Sequence, residues 1–380
     1  MQKANNLIVG AGITGAVIAE RLASSGETVL VIDQRKHVAG NCYDYRDANG
    51  ICIHKYGSHI FHTKNRDVWE YVTRFSAFNT YMHKVVALVD GIETPIPFNL
   101  RSLYAVFPQS LACELEKKLL DSFTYNTKVP ILEFKKKDDP ALRFLADYIY
   151  EKIFLHYTAK QWGVTPESLD SAVTARVPVY ISCDPRYFQD TYQGIPQNGY
   201  TAMINAMLRH SNITVQTDTK FADLPENVKA GRIFYTGSID EFFNYKFGTL
   251  PYRSVSFTLE EFSCEFYQRG AVVNYPCNYT FTRIHEYKYY LGDKSDKTII
   301  AKEYPEDFEP GKNDRYYPVP SEANQNLYEQ YLTHAQKTCP EVHFVGRLGE
   351  YRYYDMDEAI ERGLAITKCF HQQELQNNLA

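Results

Sequence analysis

The chain has 380 residues, enough to bury a sizeable core and too many for one simple domain, so two or three lobes are expected. Its formal net charge of -5, from 41 Lys+Arg against 46 Asp+Glu, gives no long-range pull toward nucleic acid or acidic lipid. No stretch approaches the roughly 20 apolar residues that span a bilayer, and the first residues lack the apolar core and cleavage site of a signal peptide, so a cytoplasmic protein is the expectation. The 8 cysteines are spread without a CxxC pair, which favours reduced structural thiols over disulfides or a metal site. The 31 tyrosines fit either strand-rich packing or a cleft of rings and phenols that stack on a base and hydrogen-bond phosphates.

Leu7-Ile8-Val9 reads as a short buried strand, followed at once by Gly10-Ala11-Gly12-Ile13-Thr14-Gly15. A helix is predicted from Ala16 to Ser24, and a second strand over Thr28–Ile32 ends in Asp33. Strand, glycine turn, helix and terminal acid in this register form the dinucleotide fingerprint. Gly10 permits the tight turn, Gly12 the approach of a pyrophosphate and Gly15 close helix–strand contact, while Asp33 accepts from ribose hydroxyls. The basic, glycine-containing run Gln34-Arg35-Lys36-His37-Val38-Ala39-Gly40-Asn41 favours FAD over NAD.

Residues 51–63 hold His54, His59 and His62. Gly57 breaks any helix there and no carboxylate completes a metal set, so a cofactor-side loop is the better reading and no metal is expected. Helical periodicity runs over Ser110–Leu120 and Ala141–His156, with Lys135-Lys136-Lys137-Asp138-Asp139 as a solvated linker between them. Extended, proline-punctuated sequence follows over Val173–Tyr187. A helix begins at Gly199, Ile213–Val215 is a strand, and Arg232–Gly237 reads as a central strand reaching a ligand-side loop. Alternation from Arg253 to Ile300 predicts an antiparallel sheet. A last strand over Val342–Arg347 and a closing helix over Met356–Phe370 complete the chain. The fold class is therefore α/β: a Rossmann-like FAD-binding lobe assembled from both ends of the chain, with an inserted helical lobe and an inserted antiparallel β-sheet. The expected partition is 1–80, 190–240 and 325–380 for the nucleotide lobe, 98–170 for the helices, and 81–97, 171–189 and 241–324 for the sheet.

In order along the chain, VIDQRKHVAGNCYD, YGSHIFHT, PIPFNL, YTAKQWG, YQGIPQNGYTAMI, FTRIHEY, YYPVP and VGRLGEYRYYDMD make the sequence resemble prokaryotic UDP-galactopyranose mutase over nearly its whole length. The resemblance implies FAD in its reduced form, an external reductant, a homodimer and UDP-galactose as substrate in its pyranose and furanose forms. It also implies isomerisation through a covalent adduct of the sugar's anomeric carbon with N5 of the flavin.

The resemblance carries site roles with it. Tyr157 would stack on the uracil and Trp162 lie near the sugar; Ile153 stands where Phe is common, with Phe154 next to it. Arg176 and Arg283 would hold the diphosphate with Tyr187, Tyr317 and Tyr353, and adjacent Tyr316 competes with Tyr317 for that role. Asn274 and Asp355 would lie near the sugar or phosphates. His59, Ile60, His62, Arg347, Asp355 and Met356 would approach the flavin beside Gly10, Gly12, Ile13, Thr14, Gly15, Asp33, Gln34, Gly40 and Asn41. Ser58 replaces a usual Pro and Ala39 a common Gly. His59, where members accepting N-acetylated sugars carry Arg, leans toward plain galactose. Two alternatives stay open: a flavin oxidoreductase of the amine-oxidase type, and a non-catalytic UDP-sugar-binding protein.

Overall fold

A computed structural model describes residues 4–163, 178–225 and 230–377. Its nucleotide lobe is built on five parallel strands in the order Ile213–Gln216, Val29–Ile32, Asn6–Val9, Arg232–Tyr235 and Val342–Phe344. Val29–Ile32 is buried along its whole length, as expected of a strand covered by helices on both faces. The helix Ile13–Ser24 buries Ala16, Val17, Ile18, Ala19, Leu22 and Ala23 and packs against the closing helix Met356–Asn377. Gly363 makes that approach possible, since a methyl group there would lie 2.9 Å from Val17 Cγ1.

The second sheet has seven strands in the order Tyr317–Pro318, Tyr252–Phe262, Thr298–Asp307, Arg283–Glu286, Val272–Asn274, Val85–Val89 and Ile92–Ile96. It is antiparallel except at one junction, where Val85–Val89 runs parallel to Val272–Asn274. The hairpin 85–96 enters from far earlier in the chain, so no tight turn fixes its direction against strand 272–274.

The helical lobe differs from its sequence pattern in two places. Asp139, expected in a solvated linker, caps the helix Pro140–Ile149 by accepting from the Ala141 and Leu142 amides at 2.9 and 3.2 Å; proline at the first helical position suits this start. The predicted single helix 141–156 is divided, with a π-helical segment over Tyr150–Leu155 leading into the helix His156–Trp162. Such wide turns concentrate at functional sites. Among the described residues no helix is long and apolar enough to cross a membrane.

Candidate active site

A groove of about 480 Å³ opens outside the carboxyl ends of the parallel strands, lined by Gly10, Gly12, Ile13, Thr14, Gly15, Asp33, Gln34, Gly40 and Asn41. The glycines are required by contact. A methyl on Gly15 would lie 2.0 Å from the Gly10 carbonyl oxygen, and one on Gly40 3.0 Å from Gly12 Cα. Gly12 caps the helix Ile13–Ser24 without a side-chain hydrogen bond, and no acid stands in its first turn. Its leading amides therefore remain available to a diphosphate. Asp33 is buried and accepts from the Ala11 and Arg35 amides, both at 2.8 Å, which fixes its carboxylate at the groove wall. This cradle fits a dinucleotide. Tyr245, Phe308 and Arg315 form the other wall and have no counterpart in the sequence reading.

His59, Arg347, Asp355 and Met356 line the same groove. His59 Nδ1 lies 2.7 Å from the Gly57 carbonyl oxygen, which only accepts, so Nδ1 carries the proton. Burial, with smaller contributions from His54 and Arg347, pushes the ring down to about 3. The ring is neutral near pH 7 and keeps a lone pair on Nε2. Ile60 and His62, expected beside the flavin, are not in this lining. Ile60 is buried in the core, and His62 turns to Asp190, 2.6 Å away, and stacks on Phe188. A carboxylate does stand beside His54: ligand atoms of Asp44, Cys52 and His54 lie within 4.8 Å of one another. The Asp44 oxygens instead accept from the Tyr200 and Thr201 amides at 2.5 and 3.0 Å, capping the helix Tyr200–Leu208.

A second cluster adjoins the groove through Arg347, whose guanidinium donates to the Tyr354 carbonyl at 3.1 Å and lies over the rings of Tyr317 and Tyr353. Those rings stack at 5.4 Å, and Trp162 stands 6.3 Å from Tyr317. Tyr316, the rival phenol, is buried and faces Tyr56. The Tyr157 phenol feels the charge of Arg283 and Glu303 and neighbours Tyr187 and Tyr317. Ile153 and Phe154 are both buried in the core. Arg176 lies outside the described residues.

Arg283 is positioned by sheet register. It pairs across the strands with Asn274 on one side and Glu303 on the other, so the three share one face. Arg283 Nε donates to Glu303 Oε2 at 2.8 Å. The Asn274 side-chain Oδ1 is buried with no hydrogen-bond partner among the described residues, an acceptor suited to a donor such as a sugar hydroxyl. Burial opposes ionisation of Glu303, but Arg283 and His285 overcome it and hold the carboxyl down at about 2.

A family model described as UDP-galactopyranose mutase matches residues 152–353, and a probable UDP-galactopyranose mutase of Klebsiella pneumoniae is 38% identical over 376 residues, covering 97% of this chain and 95% of its own length. The chain belongs to the UDP-galactopyranose mutase family. A second model, for an NAD(P)-binding Rossmann-like domain, matches residues 8–75. A dTDP-fucopyranose mutase of Escherichia coli is 34% identical, covering 96% of this chain and 97% of its own. The fold matches the crystal structure of a reduced UDP-galactopyranose mutase with a TM-score of 0.71 at 16% identity, covering 98% of this chain and 95% of that one. A putrescine oxidase shares the fold at a TM-score of 0.58, 10% identity, and 96% and 98% coverage.

Sequence reading missed Glu303, His285 and Arg253. Arg253 and His285 lie within the stretch whose alternation was visible and Glu303 just beyond it, but their roles depend on which strand pairs with which. Arg253 is buried and donates to the Gln161 and Lys160 carbonyls at 3.0 and 3.2 Å, closing the helix that carries Tyr157 and Trp162.

Proposed function

We infer that this chain interconverts UDP-galactopyranose and UDP-galactofuranose, with FAD in the glycine groove. The carrying observation is Arg283, braced by Glu303 and flanked by the Asn274 side-chain oxygen, which has no partner among the described residues, in a ring-lined cluster that meets the groove at Arg347. When bound in reduced form, FAD supplies the electron-rich nitrogen that substitution at an anomeric carbon needs.

The protein's own part is orientation and charge. Because Glu303 occupies Nε of Arg283, the two terminal nitrogens, which bond no other described residue, can fork onto a diphosphate and stabilise UDP as it departs. Burial raises the Tyr317 phenol, so it stays protonated and donates to phosphate oxygens, beside Tyr353 and Tyr187. Tyr157 offers its ring to the uracil and Trp162 its indole to the sugar; Ile153 and Phe154 back the base site. Asp355 and Met356 at the start of the closing helix, with the neutral His59 Nε2, face the flavin. Arg176 supplies a second charge to the diphosphate. The enzyme works as a homodimer served by an external reductant, and His59 favours galactose without an acetamido group.

The test is incubation of the purified protein with dithionite and UDP-galactofuranose, followed by chromatography for UDP-galactopyranose. Conversion under reduction and none in air supports the reading; no conversion under reduction sinks it. A parallel incubation with dTDP-fucopyranose addresses the second relative, and preferential turnover there would reassign the nucleotide sugar.

A further inference from the structure

The turn Gly57-Ser58-His59 docks on the face of the large sheet that carries Arg283. A methyl on Gly57 would lie 2.8 Å from the Phe257 ring, and Phe257 pairs with Glu303 across the strands. Ser58 Oγ lies 2.5 Å from His285 Nδ1, and His285 Nε2 lies 2.9 Å from Glu303 Oε2. Tyr290 donates its hydroxyl to Ser58 from the far side.

The protons in this chain are determined. The Glu303 carboxylate only accepts, so His285 Nε2 must carry a hydrogen. Burial lowers His285 from its ordinary value against the pull of Glu303, so the ring is neutral and Nδ1 is an acceptor. Ser58 therefore donates to Nδ1 and takes the Tyr290 proton on its own lone pair. Each member has one direction to give and one to receive, and a proline at position 58 offers no hydroxyl.

We propose that Ser58 and His285 are positioning residues for diphosphate binding: Ser58 holds the His285 ring in the tautomer that Glu303 requires, His285 holds Glu303, and Glu303 aims Arg283. The flavin-side turn and the anion-binding arginine thus form one hydrogen-bonded unit, and a displacement of the turn is felt at the diphosphate. This rests on the reading that Arg283 binds a nucleoside diphosphate.

The test uses the FAD-loaded protein and calorimetric titration with UDP. His285→Leu removes a hydrogen bond to a charged group and is expected to weaken UDP binding roughly tenfold or more, with flavin content unchanged. His285→Gln keeps an N–H toward Glu303 and should stay within about threefold of the unsubstituted protein. Gln has no ring tautomer to fix, which supplies the discriminating comparison. Ser58→Ala should cost about tenfold in the His285 protein and less than about twofold in the His285→Gln background. Equal Ser58→Ala losses in both backgrounds, or unchanged binding by His285→Leu, overturn the assignment while the proposed function stands. No UDP binding by the unsubstituted protein removes the functional reading and this assignment together.

Discussion

At Arg283 burial works against the guanidinium charge, and the Glu303 carboxylate more than restores it. A lysine would keep the charge, but it lacks the fork and cannot bond Glu303 and a phosphate in the same plane. Arg283→Lys is therefore expected to cost about 1.5–3 kcal/mol of UDP affinity, read by titration calorimetry, with the visible flavin spectrum unchanged; wild-type affinity would remove Arg283 from the diphosphate. Much at this scale was legible. The glycines and Asp33 stand in one contiguous motif, where spacing conveys geometry directly, and they line the groove together; Tyr157 and Trp162 came only from the family resemblance. Glu303 was not legible, because its meaning is a cross-strand partner 20 residues away in sequence. His62 shows the opposite: it shares one short run with His54 and His59, yet its own contacts are Asp190 and Phe188, and no spacing on the sequence foretells them.

At the scale of elements, the helix His156–Trp162 depends on contacts made beyond it. Arg253 places a cation on its last carbonyls, where the helix dipole favours positive charge. From the helix side, Lys160 donates to the Tyr275, Tyr279 and Phe281 carbonyls at 2.5, 3.2 and 3.1 Å. Arg253→Met is expected to lose about 2 kcal/mol of unfolding free energy in urea. It should also weaken UDP binding, since Tyr157 and Trp162 ride on the same helix. Unchanged stability and affinity would show that the carbonyls are equally well satisfied by water. The preceding helix, Pro140–Ile149, was visible in its periodicity, whereas the periodic run ended at His156 where this helix begins. The π segment between the two was not visible, since apolar spacing of three and four is shared by both geometries to within one residue.

Across the whole molecule, buried imidazoles set the response to acid. His54 is 1% exposed and His83 6%. Burial pushes each down to about 3, with a smaller push from His285. In the unfolded chain both would titrate near 6.5. A depressed folded value means that the stability they contribute is complete above about pH 6.5 and falls as pH drops toward 3, because only the unfolded state takes up the protons. Each should steepen that loss by about 1.4 kcal/mol per pH unit. Melting temperatures followed downward from neutral pH should fall well before carboxylates titrate, and His83→Gln should flatten the curve. A flat profile to about pH 5 would contradict the burial argument. The two-sheet plan was legible because alternation and fully apolar runs separate the strand classes. The parallel junction at Val85–Val89 was not, since strand direction leaves no mark on a sequence pattern.

The five-stranded sheet draws on three distant stretches of chain, and its last strand, Val342–Phe344, is followed by the Gly346, Arg347, Asp355 and Met356 wall of the groove. The glycine turn is synthesised long before this wall, so the groove stays one-sided until the later stretch has folded onto it. Dinucleotide binding is therefore expected only once that stretch has left the ribosome, and nascent chains arrested before residue 340 should take up no added flavin.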